Sequence, residues 1–311
     1  VEPHLASALK SSGLAGPALS MGLFGEVEVP TVGTHVKRVK LASTIESFAE
    51  TGGKSLQQGP IASDIVAAAA EAGGILTEKD LADYSTRDRK PIVGRYKGWT
   101  VITMPPPSSG GVVLMQILGV LEAVDLAGSG PHSAATFHRL TEAMKHAFAD
   151  RARYMGDPDR IQIPIDDLLA PARIAAIQKD FDPTKTHERT HYGTSIDIGT
   201  DGGTQHISVL DGSGMAVALT TTINTSFASR VVAPQSGILL NNEMDDFVAK
   251  PGVPNHYGLV GSESNAVSPG ARPLSSMSPT VLISPDGSER IVVGASGGPF
   301  IITSTLQAIL N

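Results

Sequence analysis

The chain has 311 residues, enough for about two domains or one large α/β unit, and its 41% hydrophobic and 18% charged residues suit a globular protein with a real core. A formal net charge of −7 gives no reason to expect nucleic acid or an anionic membrane as partner, and the absence of cysteine excludes disulfides, thiolate catalysis and zinc–thiolate sites. No apolar run is long enough to span a bilayer, and a chain beginning at Val1 rather than an initiator methionine is expected to start inside a longer product.

The first half reads as mostly helical. Residues 41–50 and 61–72 carry apolar side chains at helical spacing, and Gly73-Gly74 is a helix stop. Thr77 is an N-cap for a short helix, with Asp80 three residues on. Residues 95–104 alternate as a strand does. Pro105 to Gly111 form a loop, because three prolines continue neither a helix nor a central strand. Helices are predicted over 112–124 and 134–154, the second presenting Phe137, Leu140, Met144 and Phe148 on one core-facing side. Residues 181–203 have turn formers and little periodicity and read as an exposed linker. From Thr204 the period becomes two. Residues 205–211 and 215–222 read as consecutive strands joined by Asp211-Gly212-Ser213-Gly214. Further strands are predicted at 237–241, 280–284 and 290–293, with a turn at Pro285-Asp286-Gly287, and a helix at 300–310. Helices first and strands later give an α+β class, with strands central and helices covering them.

Five segments could carry chemistry. Thr204 follows Gly203 where the pattern changes. If the bond between them is cut, Thr204 gains an α-amine of pKa roughly 7.7–8 beside its own hydroxyl, so one residue supplies nucleophile and base. It also reads as a strand-opening threonine after a turn. His187-Glu188-Arg189-Thr190-His191 matches HExxH, which binds zinc when a helix puts both histidines on one face. Pro183 before it, Gly193 after it and the lack of an apolar stripe favour a solvated linker. Gly294 to Pro299 follows a strand and precedes a helix, so its backbone N–H groups could stabilise an oxyanion, or it is a tight turn. The carboxylates of Glu243, Asp245 and Asp246 could hold an ammonium or a cation, or form a solvated turn. Ser275, Ser276 and Ser278 are held between Pro273 and Pro279, as placed hydroxyls or as loop filler.

Taken together the segments resemble the γ-glutamyltranspeptidase (glutathione hydrolase) family. The stretches are TQHISVLD, LTTTINTSF, SGILLNNEMDDF, KPGVPNHYGLVG, RPLSSMSPT and GASGGP, in that order, preceded by GGILTEKDLADY, MPPPSSGG and ADRARYMGDP. The likeness covers nearly all of the chain from about Leu41 onward. It implies an N-terminal-nucleophile hydrolase with an αββα sandwich, made as one chain that cuts itself between Gly203 and Thr204. Residues 1–203 would be the C-terminal part of a large-subunit region and 204–311 the small-subunit region, together one structural domain. Gly202 and Gly203 suit a strained backbone before the attacked carbonyl. Thr204 would be the nucleophile and Thr222 the hydroxyl that orients it. Asn224, Glu243 and Asp246 would bind the α-ammonium of a γ-glutamyl group, and Ser275 and Ser276 its α-carboxylate. Gly297 and Gly298 would form the oxyanion hole. Residues 251–273 would be a lid with Tyr257 as its gate.

The same resemblance implies no metal or organic cofactor. The expected donors are glutathione or other γ-glutamyl compounds, the acceptors water, amino acids or peptides, and the address periplasmic or extracellular. Three departures stand out. The family's N-terminal part lacks a counterpart here, including an arginine that pairs with the substrate carboxylate, and no residue is assigned that role. The C-terminal segment also looks cut, so parts of the sandwich would be missing. Gln205 replaces the usual second threonine. Two rivals are a glutaryl-type β-lactam acylase of the same fold and a catalytically silent homologue that binds γ-glutamyl compounds. A glutaryl group has no ammonium, so Glu243 and Asp246 favour γ-glutamyl.

Overall fold

The computed structural model describes residues 1–11, 22–25, 29–130, 132–193 and 203–311. Its contacts divide the chain into two compact units. One joins Val1–Asp88 with Ile223–Asn242, the other Arg89–Thr222 with Glu243–Asn311.

The first unit is built of helices and one irregular segment. Helices run over Pro3–Ser11, Val39–Thr51, Lys54–Gln57, Pro60–Glu71 and Glu78–Asp83. The last begins as its sequence predicts: the Thr77 side chain accepts from the Asp80 N–H, and the Asp80 carboxylate accepts from the Thr77 N–H at 2.8 Å. Ile65, Ala68 and Ala233 form one buried cluster with Leu56, Leu81 and Ile238 around it. Buried Asp64 fastens the returning segment by accepting from the Gln235 and Ser236 N–H groups and from the Ser236 hydroxyl, the last at 2.7 Å. Bonds to a charged acceptor are worth about 1.5–3 kcal/mol each, so this carboxylate fixes the path of 233–237. Residues 237–241 do not form the strand expected of them. The described residues there make only an isolated bridge, Val232↔Leu239.

The second unit holds the sheets. Strands β1 (Ile92–Tyr96), β2 (Trp99–Thr103), β5 (Thr280–Ile283) and β6 (Arg290–Val293) form one antiparallel sheet in the order β1-β2-β5-β6. Strands β3 (Gln205–Leu210) and β4 (Ala216–Thr221) form a two-stranded ribbon that packs against β5 and β6. What read as one strand over 95–104 is a hairpin. Lys97 and Gly98 take φ of 47° and 84°, the geometry of a tight two-residue turn, and Glu122 accepts from the Lys97 N–H at 2.9 Å. A lysine at positive φ is an uncommon turn residue, which hid the turn from the pattern.

Helices Gly110–Leu121 and Phe300–Leu310 pack on this sheet, and Ala134–Tyr154 packs on the first of them. Leu114, Ile117, Leu118 and Leu121 are fully buried with Val101, Leu282, Ile302 and Leu306. Each such side chain contributes about 1.5–3 kcal/mol. A helix apolar on all sides, like Gly110–Leu121, has to lie inside. Along Ala134–Tyr154, Leu140 and Phe148 are buried as expected, but Phe137 is 51% exposed. Among the described residues no helix is long and apolar enough to cross a membrane.

Candidate active site

Strand register creates the first feature. The ribbon pairs Gln205 with Thr221, so one step further along Thr204 stands opposite Thr222. Side chains alternate, so both fall on the same face as His206 and Thr220. Their hydroxyls meet, Oγ1 to Oγ1, at 3.0 Å. His206 is bonded to Thr220 at 2.8 Å, and its ring lies where a Cβ on Gly294 would be. Glycine at 294 therefore lets the start of the 294–299 turn approach the ribbon. Of the predicted cleavage site, Gly203 and Thr204 are described, while Gly202 and the linker residues 194–202 lie outside the described residues.

The acidic end follows. Glu243–Asp246 is a single 3-10 turn. Burial, then the charge of Glu243, pushes the Asp246 carboxyl up to about 7, with the positive charge of Arg151 pulling the other way. Burial also raises Glu243. A carboxyl held this way is ready for a cation, since a nearby ammonium favours its charged form. The third acid plays a different part, because Asp245 accepts from the His256 N–H, in the 251–273 segment, at 2.9 Å.

Two residues that sequence reading did not single out hold this end together. Arg151 is buried, and its Nε donates to Ser109 Oγ at 2.8 Å while Nη2 reaches Ser276 Oγ at 3.4 Å. Burial lowers its pKa to about 10, with Asp246 opposing, so it keeps its charge near neutral pH. Asn265 donates from Nδ2 to the Asp246 carbonyl at 2.7 Å and accepts the Leu274 N–H at 3.0 Å. It clips the acidic turn to the serine loop. A charged residue inside a predicted core helix was the one available signal for Arg151, and an asparagine in a loop carries none.

The proline-rich loop and the serine loop, far apart in sequence, are one structure. Ser109 donates from both N–H and Oγ to the Ser275 carbonyl, at 2.8 and 2.7 Å, and Ser108 Oγ donates to the Met277 carbonyl at 2.6 Å. A Cβ on Gly110 would stand 2.5 Å from the Met277 oxygen, so that position has to be glycine. Ser275 and Ser276 are thereby fixed beside Arg151.

Gly297 and Gly298 take φ of 112° and 55°, conformations that side chains rarely adopt. Their carbonyls accept the Phe300 and Ile301 N–H groups and open the last helix. The Tyr257 ring lies on this turn: a Cβ on Gly298 would be 2.8 Å from its Cδ1 and Cε1. Tyr257 is 3% exposed, held by Asn255, whose Oδ1 accepts the Tyr257 and Leu259 N–H groups at 3.0 Å each. A cavity of about 200 Å³ is lined by Arg151, Met244, Asp246, Val253 and Leu259. Its lining also takes in Asp245 and residues 247–250, 254–255 and 260–261, and Thr204 is not among them. The structure thus pairs Thr204 with Thr222, Tyr257 with Gly298, and Asp246 and Ser276 with Arg151. Asn224 belongs to the other unit. It is buried at φ 76°, a conformation asparagine tolerates, and donates to the Asn242 carbonyl at 3.1 Å.

Known proteins resemble this chain along its whole length. The family model described as gamma-glutamyltranspeptidase matches residues 1–311. The glutathione hydrolase proenzyme of Escherichia coli (strain K12) is 45% identical over 281 residues, 90% of this chain and 48% of that protein. Glutathione hydrolase 2 of Arabidopsis thaliana is 37% identical over 314 residues, 98% of this chain and 53% of that protein. The chain therefore spans about half the length of the curated relatives it matches. Among solved structures, cephalosporin acylase from Bacillus halodurans superposes with a TM-score of 0.81 at 25% identity, over 100% of this chain and 55% of that one. Helicobacter pylori gamma-glutamyltranspeptidase gives 0.58 at 34% identity, over 61% of this chain and 56% of that one. These neighbours bear out the N-terminal-nucleophile hydrolase sandwich inferred from the sequence.

Proposed function

Because the chain belongs to the γ-glutamyltranspeptidase family, we propose that it is the part of a γ-glutamyltransferase and glutathione hydrolase that carries the nucleophile, Thr204. The observation that carries this reading is the hydroxyl pair of Thr204 and Thr222 at 3.0 Å, one residue past the seam at Gly203. In the uncut chain Thr204 Oγ1 attacks the Gly203 carbonyl carbon, the peptide C–N bond breaks, and the resulting ester is opened by water. Two polypeptides result, one ending at Gly203 and one starting at Thr204. The freed amine then serves as base for its own hydroxyl.

Turnover follows the same chemistry. Thr204 Oγ1 attacks the γ-carbonyl of a γ-glutamyl compound while its amine takes the hydroxyl proton and passes it to the leaving amine. The γ-glutamyl ester on Thr204 is then transferred to water or to the amine of an amino acid or peptide. The N–H groups of Gly297 and Gly298 receive the oxyanion, and losing one such donor costs about 100- to 1,000-fold in rate. Asp246, Glu243 and Asn224 are assigned to the substrate ammonium, Ser275 and Ser276 to its carboxylate. Buried Arg151, bonded to Ser109 and reaching Ser276, supports that end by adding a positive charge. Tyr257 would have to leave Gly298 for substrate to enter. A periplasmic or extracellular address belongs to the same reading.

The structural likeness to a cephalosporin acylase keeps a glutaryl-type substrate as the second reading. The raised carboxyl of Asp246 argues against it, because a glutaryl group brings no cation to satisfy it. The test uses the full-length parent protein. Intact mass should show two polypeptides, the smaller starting at Thr204, and Thr204→Ala should remain one chain. The cleaved protein should release the amine from a γ-glutamyl amide faster than from its glutaryl counterpart. Cleavage in Thr204→Ala sinks the self-processing, preference for glutaryl substrates supports the acylase, and binding without amine release means a silent homologue.

A further inference from the structure

The HExxH-like run, which the transferase reading leaves unused, folds in a way its helix periodicity does not predict. The helical turn spans only Arg189–Tyr192, so His187 lies ahead of it. Even so, the rings of His187 and His191 stack with centroids 4.0 Å apart and planes 16° apart. His191 Nε2 lies 2.6 Å from Asp180 Oδ2, and His146 Nε2, from helix Ala134–Tyr154, lies 3.1 Å from the same oxygen. His187 Nε2 is 3.9 Å from it and 3.0 Å from the Asp180 carbonyl oxygen. The donor atoms of His146, Asp180 and His191 all fall within 4.8 Å of one another.

We propose that His146, Asp180 and His191 form a binding site for a divalent transition-metal ion of the Zn²⁺ or Ni²⁺ class, with His187 in reach as a fourth ligand. The donor set decides the class: imidazole nitrogens select zinc, nickel, copper or cobalt, whereas magnesium and calcium require oxygen ligands. Zinc bonds of about 2.0–2.2 Å place tetrahedral ligand atoms roughly 3.3 Å apart. The separations of 2.6, 3.1 and 3.9 Å to Asp180 Oδ2 bracket that distance, so modest side-chain shifts would seat the ion. Supporting contacts fasten the 186–192 segment to helix Ala134–Tyr154. Tyr192 donates its hydroxyl to Glu142 and accepts the His187 N–H at 3.2 Å, and Thr186 Oγ1 donates to Glu142 at 2.7 Å. Arg173, one of two cations on the helix Pro171–Asp180 that ends at the ligand, is engaged by Asp150 at 2.8 Å.

In the hydrogen-bonded form the carboxylate of Asp180 accepts the Nε2 protons of His146 and His191. A metal ion takes the place of those protons at Nε2, and each neutral imidazole keeps its one proton at Nδ1. It would clamp the 187–192 segment to helix Ala134–Tyr154, at the start of the stretch that leads to Gly203. That consequence rests on the proposed self-cleavage, whereas the binding does not.

The test uses full-length protein without a histidine tag, freed of metal with a chelator, and titrated calorimetrically with ZnCl₂ and separately with NiCl₂. Co²⁺ serves as the spectroscopic probe. We expect one ion per chain and a Co²⁺ ligand-field band of a site with nitrogen ligands. His191→Gln, on the exposed segment, and Asp180→Asn should each weaken binding at least tenfold with unchanged far-UV circular dichroism, while Thr204→Ala binds as the parent does. Equal affinity in parent and both variants, or no Co²⁺ band in the parent, would overturn the site. Binding that leaves the rate of chain cleavage unchanged would overturn the clamp alone and leave the transferase reading untouched.

Discussion

The acidic turn makes a quantitative demand on the pH dependence of turnover. For an ammonium to be bound, Asp246 has to be charged, and for Thr204 to attack, its amine has to be neutral. Both requirements fail as the pH falls. Asp246 releases its proton near pH 7, and a terminal amine near roughly 7.7–8, so kcat/KM should drop about 600-fold between pH 8.5 and 6. About 60-fold of that belongs to the amine and about tenfold to the carboxyl. In Asp246→Asn the carboxyl no longer titrates. Its kcat/KM should be lower throughout, by about 10- to 100-fold for a lost charged hydrogen bond, but the drop over the same interval should shrink to about 60-fold. The assay is initial-rate hydrolysis of a chromogenic γ-glutamyl anilide by the cleaved full-length protein. A drop in Asp246→Asn as steep as that of the parent would refute the assignment, because some other group would then carry the second titration.

Three further outcomes are expected from the geometry. Thr222→Val removes the hydroxyl at 3.0 Å from Thr204 Oγ1 and should slow both chain cleavage and turnover about tenfold, the worth of one well-placed hydrogen bond, and mass spectrometry over time measures the first. Arg151→Met removes the positive charge that holds the Asp246 carboxyl down, so the Asp246 part of the acid limb of the kcat/KM profile should move above pH 7, while Arg151→Lys should keep the limb in place but raise KM by losing the fork to Ser109 and Ser276. Gly298→Ala forces a side chain to φ 55°, a conformation that costs about 1–2 kcal/mol, and against the Tyr257 ring. It should cut kcat at least about 100-fold, and recovery in the double variant with Tyr257→Ala would assign part of that loss to crowding.

Much of the candidate site is legible in the sequence, because its signals are local. The alternation after Thr204 and the Asp211 turn predict the β3–β4 ribbon, and that register alone puts Thr204 opposite Thr222. Adjacent glycines at 297 and 298 announce a turn that only glycine makes easily. The capping pair Thr77 and Asp80 behaves as its spacing predicts. The hairpin at Lys97-Gly98 escaped because a lysine at positive φ carries no turn signal, and 237–241 escaped because its apolar run is held by Asp64 rather than by a strand partner.

Charge in the interior was not legible at all. That Arg151 would be buried against Ser109 and Ser276, that Asp245 would hold the His256 backbone while burial pushes Asp246 up to about 7, and that Asn265 would join two loops each depend on residues distant in the chain. The histidine cluster is the plainest instance. Residues 187 and 191 suggested a metal only if helical, yet the chain turns back and gathers them with His146 and Asp180 although His187 stands outside the helical turn. Sequence by itself determined the family, through the order and likeness of its motifs, and the strand that presents the proposed nucleophile, since periodicity and turn chemistry act between near neighbours. Only the tertiary structure decided which charges are buried and what faces them, since burial and electrostatic partnership are set by the packing of segments that the sequence keeps far apart.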